Sequence, residues 1–181
     1  MKNSAVEQIL LHLYNSIDYG FSYRAKKIFG IEDLFVSSSW KKYKKKEIQD
    51  GFKNLKRLKF VQLKKQYDGS TIISLSEKGK LRALNIRFRL LNNKKEHWDR
   101  KWRMVAFDIP NTHRKGRDAI RYRLRLGGFY ELQESMFIYP YNCERELRDF
   151  VALFKLEKYV RFALLDFIDG QDNLMQSFNL N

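Results

Sequence analysis

The chain has 181 residues, 44% hydrophobic and 15% aromatic, which supports one large packed core or two small ones and excludes a disordered polymer. No apolar run approaches the ~20 residues needed to cross a bilayer, and the only cysteine, Cys143, has no partner for an internal disulfide. The start, "MKNSAVEQIL", lacks the apolar core of a signal peptide, so a reducing cytoplasm and no membrane contact are expected.

The net charge of +15 is unevenly spread. Residues 1–95 hold 22 Lys and Arg against 8 Asp and Glu, whereas residues 96–181 hold 14 against 13. A nucleic-acid-binding module joined to a more neutral domain has this distribution. A lysine-rich surface that is merely solvated is the plain alternative.

In chain order, Ser4 is placed to cap a helix whose apolar positions Val6, Ile9, Leu10, Leu13 and Ile17 recur near a 3.6 period. A short second helix is expected over "YRAKKIFG", closed by Gly30, followed by a loop over "EDLFVSSSW". Within "KKYKKKEIQDGFKNLKRLKF", Ile48, Phe52, Leu55 and Leu58 form one helical stripe, and Lys46, Gln49, Asp50, Lys53, Lys56 and Arg57 face away. "FVQLKKQ" and "TIISL" read as strands joined by an Asp-Gly turn, and "SEKGKLRALNIRFRLL" resumes helical spacing.

Helix, helix, basic helix, basic hairpin, helix is the order of a winged helix-turn-helix, expected over residues 1–92. A helix of this kind fits the major groove of double-stranded DNA, with the hairpin along the neighbouring backbone. Gln49, Lys53 and Asn54 are the candidates for reading bases, since they present directional hydrogen bonds. Lys44, Lys45, Lys46, Lys56, Arg57 and the hairpin residues Lys64 and Lys65 are candidates for phosphate. Asp50 is out of place on such a face and is expected to pair locally with Lys46 or Lys53.

The polar stretch at residues 93–100 is expected to link this domain to a second one over residues 101–181. There "WRMVAFDI" reads as a strand, "THRKGRDAIRYRLRLGG" as a helix, "FYELQ" and "SMFIYPY" as strands, "CERELRDFVALFKL" as a helix and "VRFALLDFI" as a last strand. The order β-α-β-β-α-β is that of a ferredoxin-like domain, making the whole chain α+β. The last strand is apolar on both faces, and two helices cover only one face of such a sheet. A second copy is the first choice to cover the other face, the N-terminal domain folding back is the second, and RNA stacked on Phe137, Tyr139 and Tyr141 is the third. Arg114, Arg117, Arg121 and Arg125 form a stripe on the first helix that suits phosphate or, equally, acidic neighbours in the same fold.

The segment "KWRMVAFDIPNTHRKGRDAIRYRLRLGGFYELQESMFIYPY" resembles the central domain of PaaX-type transcriptional repressors, regulators of phenylacetate catabolism. It shares W-R-x-V-x-F-D-I-P, an arginine-rich helix and G-F-x-x-L-Q-x-S-x-x-x-x-P, and "LSEKGK" after the wing is similar to that family's N-terminal domain. The central domain is in turn similar to CRISPR-associated protein two, some of whose relatives are metal-dependent nucleases. The resemblance implies a dimeric regulator bound to double-stranded DNA, without a required cofactor. PaaX-type repressors continue into a further C-terminal domain and this chain stops at Asn181, so an acyl-CoA response is not expected.

Asp108 carries the competing function. It matches the proposed metal ligand of the nuclease-type relatives, which makes an Mg²⁺-dependent endonuclease or an adaptation-like protein the alternative. Magnesium takes one or two carboxylates plus water or phosphate, and two copies of Asp108 across a dimer axis would supply them. Against this, Pro110 forces Ile109 extended, and Asp108 is equally suited to accepting hydrogen bonds in a tight turn or pairing with a nearby arginine. His12, His97 and His113 have no metal-ligand spacing, and no phosphate-cradling glycine loop is present.

Overall fold

The computed structural model describes residues 4–17, 23–25, 43–65, 67, 71–93 and 96–180. The chain divides into two compact units, Met1–Ile86 and Arg87–Asn181. The division falls within a helix, ahead of the polar stretch at 93–100.

In the first unit, α1 (Ala5–Ile17) begins after Ser4, whose hydroxyl accepts the Glu7 N–H at 3.3 Å. Ile9, Leu10 and Leu13 are buried, as their spacing requires. β1 (Tyr23–Ala25) corrects the reading of a helix from Tyr23: these residues pair antiparallel with β3 (Thr71–Leu75). The remainder of that stretch, the loop after it and the Asp68-Gly69 turn lie outside the described residues. α2 (Lys45–Arg57) buries Ile48, Gly51, Phe52 and Leu55. β2 (Val61–Lys65) pairs with β3 from Val61↔Leu75 to Lys65↔Thr71, giving a sheet of order β1-β3-β2.

α3 (Glu77–Leu91) starts where the sequence repeats the capping logic of α1. Ser76 accepts the Gly79 N–H through its hydroxyl at 3.1 Å and donates to the Lys59 carbonyl at 2.7 Å. A Cβ on Gly79 would lie 2.0 Å from the Phe60 carbonyl oxygen. The serine and glycine of "LSEKGK" thus hold the start of α3 against the chain entering β2.

The second unit contains β4 (Trp102–Phe107), α4 (Arg114–Leu126), β5 (Tyr130–Gln133), β6 (Met136–Tyr139), α5 (Glu144–Phe154), β7 (Val160–Leu165) and α6 (Gln171–Phe178). The strands form an antiparallel sheet of order β5-β6-β4-β7. Strand alternation sends Arg103, Val105 and Phe107 to one face and Trp102, Met104 and Ala106 to the other. On the first face Phe107 stacks on Phe137 at 6.0 Å, and the Arg121 guanidinium of α4 lies over the Phe107 ring.

The second face corrects the argument for a covering partner. α6, which sequence reading left out, lies on it: Leu174 joins Trp102 and Ile138 in a cluster walled by Trp98, Met104, Leu165, Met175 and Phe178. The stacking platform for RNA fails for a similar reason. Phe137 is 0% and Tyr139 2% exposed, and the Tyr139 hydroxyl donates to the Leu91 carbonyl at 2.6 Å.

Two buried charges are satisfied inside this unit. Arg103 donates to both Asp99 carboxylate oxygens at 2.6 Å and to the Lys101 and Pro140 carbonyls at 2.8 Å. The guanidinium holds the Asp99 carboxyl well below the ordinary 3.8, at about 2. Arg87 forms a two-nitrogen contact with Glu146, its Nε at 2.8 Å, and Glu146 is almost fully buried.

Candidate nucleic-acid interface

α2 is built as an amphipathic helix with a cationic outer face. Its N-terminal turn is held by Glu47, whose carboxylate accepts the Lys44 N–H at 2.6 Å. Lys44, Lys45 and Lys46 cluster at this end, where the helix dipole is positive and cations are unfavourable. Glu47 offsets part of that cost. All three are exposed, so this end of the helix carries a concentrated positive charge.

Farther along, Lys53, Lys56 and Arg57 are exposed and Gln49 and Asn54 are half-buried. Asp50 makes the local pairing its neighbours suggested, 3.9 Å from Lys53, although both side chains remain mostly exposed. Asn54 accepts a hydrogen bond from Arg57 at 2.9 Å, so its amide oxygen is already engaged. Lys64 and Lys65 are exposed on β2, the edge strand of the small sheet, beside an exposed Leu63. All ten residues singled out for DNA contact therefore lie on α2, its cap or β2, none of them fully buried.

The arginines of α4 stand differently. Arg121 donates to the Glu134 carbonyl at 2.8 and 3.1 Å and pairs with its carboxylate at 3.2 Å. Arg125 makes a two-pronged contact with Glu131, Arg117 reaches the Ile109 carbonyl at 3.4 Å, and Arg114 lies 3.6 Å from Asp118. Arg123, missed in the sequence, is 6% exposed; it donates to the Ala119 carbonyl at 2.8 Å and lies over the Phe150 ring at 5.0 Å. Burial among these rings lowers its pKa. The near-helical spacing of Arg114, Arg117, Arg121 and Arg125 is visible in the sequence; the inward turn of Arg123 between them is not.

Asp108 sits just past the end of β4, exposed, on a 780 Å³ cleft lined also by Glu134, Ser135, Lys158, Tyr159 and Arg161. Its backbone N–H donates to the Tyr159 carbonyl at 3.0 Å, but the turn is closed by other groups, His113 N–H to the Pro110 carbonyl and Arg117 to Ile109. The expected role of the Asp108 side chain in capping that turn is thus filled by the backbone and Arg117. Among the described residues no group of three or more His, Cys, Asp and Glu side chains gathers for a metal. The other carboxylate of the cleft, on Glu134, is engaged by Arg121, and two cationic side chains line the same space. This donor set does not fit a magnesium ion within one chain.

The chain is thus a two-unit α+β protein with a cationic helix and hairpin in one unit and a helix-clad antiparallel sheet in the other. Residues 95–175 match the family model described as the PaaX protein central Cas2-like domain, which bears out the PaaX-type resemblance over the second unit. No curated protein and no solved structure matches the chain.

Proposed function

We propose that this protein is a PaaX-like transcriptional regulator, a repressor that binds double-stranded DNA as a homodimer. Residues 1–92 are read as a winged helix-turn-helix, with α2 as recognition helix and β2–β3 as wing. Residues 101–181, joined to it through 93–100, are read as a ferredoxin-like dimerisation domain. The observation that carries this reading is the outer face of α2 and its cap: Lys44, Lys46, Lys53, Lys56 and Arg57 exposed opposite a buried Ile48, Phe52 and Leu55 stripe. Lysines that stabilised only the fold would be matched by acids, yet α2 has two acidic residues, and one of these caps its start. A dimer would place two such helices in major grooves one turn, or a multiple of it, apart on an inverted repeat.

The test is fluorescence anisotropy with a labelled random-sequence duplex over a salt series. Binding with log affinity falling linearly in log salt is the expected result, the slope being about −0.9 per phosphate neutralised. Absence of binding at low salt overturns the reading.

A second reading, a metal-dependent nuclease or adaptation-like protein, is favoured by one observation, the exposed carboxylate of Asp108 on its cleft. Cutting of single-stranded RNA or duplex DNA with Mg²⁺ or Mn²⁺ that disappears in Asp108→Ala would put it ahead of the regulator.

A further inference from the structure

The two edges of the larger sheet are finished differently. β5 carries a bulge between Glu131 and Gln133, and Arg125 pairs with Glu131 at 2.9 Å on that edge. Bulges and charges are the usual devices that stop a sheet from adding another strand. β7 has neither a bulge nor a proline, and it pairs regularly with β4 over all six residues, Val160 to Leu165. Its single charge, Arg161, folds onto the carbonyls of Glu157 and Val160 at 3.1 and 3.0 Å, and the Val160 N–H donates to the Leu156 carbonyl at 3.2 Å, so a partner strand must displace these contacts at Val160 while Phe162 and Leu164 keep their edge groups open. Phe162 and Leu164 stand on the face opposite α6 and are 38% and 51% exposed.

We propose that β7 pairs antiparallel with β7 of a second copy about a two-fold axis at Phe162, joining the two four-stranded sheets into one. This rests on the homodimer reading above and specifies its interface. In a symmetric antiparallel pair, residues directly opposite share a face, so the axis must pass at a residue. At Arg161 it would oppose two guanidinium groups, and at Ala163 it would set the Asp166 carboxylate against the partner's Val160. At Phe162 the ring meets its own copy, Val160 meets the partner's Leu164 and Arg161 meets the partner's Ala163. Just beyond the strand, Lys158 then falls opposite the partner's Asp166, an opposite-charge pair at both ends. Lys158 is exposed, and the Asp166 side chain is 87% exposed although 3.0 Å from Lys101, so both can reach outward. Apolar pairs between these part-exposed side chains and matched charges at the ends select this one register.

The experiment is light scattering on the size-fractionated full chain. Wild type is expected at twice the 21.9 kDa chain mass. Phe162→Glu and Phe162→Lys are each expected at the single-chain mass, because either puts like charges face to face at the axis, and a mixture of the two is expected to recover the doubled mass. Circular dichroism checks that each variant is folded; Leu164→Glu, on the same exposed face, substitutes for a variant that is not. A wild-type dimer that persists in folded Phe162→Glu or Leu164→Glu overturns the β7 interface and leaves the homodimer reading standing. A wild-type monomer overturns both. Monomeric Glu and Lys variants that stay monomeric when mixed overturn the Phe162 register.

Discussion

α2 and α4 are each 13 residues long, each strongly amphipathic and each rich in cations, yet their cations do different work. On α4, arginine after arginine is met by an oxygen of its own unit: Arg117 by Ile109, Arg121 by Glu134, Arg123 by Ala119 and Arg125 by Glu131. On α2, Lys46 and Lys56 stand exposed, and Lys53 is mostly exposed with Asp50 at 3.9 Å. A guanidinium offers five donors in a fixed fork and suits the carbonyls and carboxylates of a folded surface, whereas an ammonium on a flexible stem stays solvated until an anion arrives. The residue type, and not the charge alone, separates a helix whose cations consolidate its own domain from one whose cations stay in solvent.

The largest effect that sharpens this contrast is expected from the triple change Lys46→Ala, Lys53→Ala and Lys56→Ala. Loss of three phosphate contacts lowers duplex affinity by about a hundredfold at low salt and flattens the log–log salt slope by about 2.7. The melting temperature should hardly move, because all three side chains are exposed. Anisotropy across a salt series, with calorimetry beside it, reads both quantities. An unchanged slope would remove α2 from the interface.

Arg121→Ala should do the reverse. It removes two hydrogen bonds and an ion pair to Glu134 from a side chain that is 20% exposed, a loss of about 1.5 kcal/mol. Duplex affinity should stay within about twofold, since the guanidinium is occupied internally. A large loss of affinity in Arg121→Ala would show that the α4 stripe also meets phosphate, and the contrast between the helices would break.

A smaller effect in the opposite direction is expected from Asp50→Asn. The carboxylate is exposed among lysines on the face proposed to meet DNA, so neutralising it should tighten duplex binding about threefold at low salt and less at high salt, as screening removes the repulsion. Weaker binding would instead mark Asp50 as a base-reading acceptor.

Much of this was legible beforehand because it follows from periodicity. The buried stripes of α1 and α2 recur near 3.6 residues and the buried Ile73 and Leu75 of β3 at 2, and each is apolar where it is buried. Tyr23–Ala25 was not legible: three residues are too few to show a period, and a strand that short exists only because β3 has an edge to offer. α6 was missed because its eight residues bury one side chain, Leu174, and Gly170 in a left-handed conformation starts it. A signal was available, since Leu174, Met175 and Phe178 sit at helical spacing after a strand apolar on both faces. Reading that second face as a docking surface for another molecule overlooked the shortest route to covering it, the chain itself. The positions of the DNA candidates on α2 and β2 follow from the stripe; the inward turn of Arg123 depends on Phe150 and Phe154, more than twenty residues away, and no local pattern reports it.

The smallest effect concerns an ion pair that stands between the two kinds. Asp99 is half-exposed but gripped by the buried Arg103, which holds its pKa at about 2 against an ordinary 3.8. A carboxylate depressed by folding contributes stability that is complete above its unfolded value and is lost as pH falls through its folded one. The contribution is therefore present at neutral pH, begins to fade below about pH 5 and is mostly lost by about pH 2. Melting curves of wild type and Asp99→Asn should be separated at pH 7 and should converge across that window. A separation that persists at pH 2 would mean that the variant's amide loses shape or hydrogen-bond geometry, and not the charge that Arg103 requires. Because the carboxylate is half in water, the gap is expected to be smaller than that of Arg121→Ala, which places the pair below the anchored arginines of α4 and above the solvated lysines of α2.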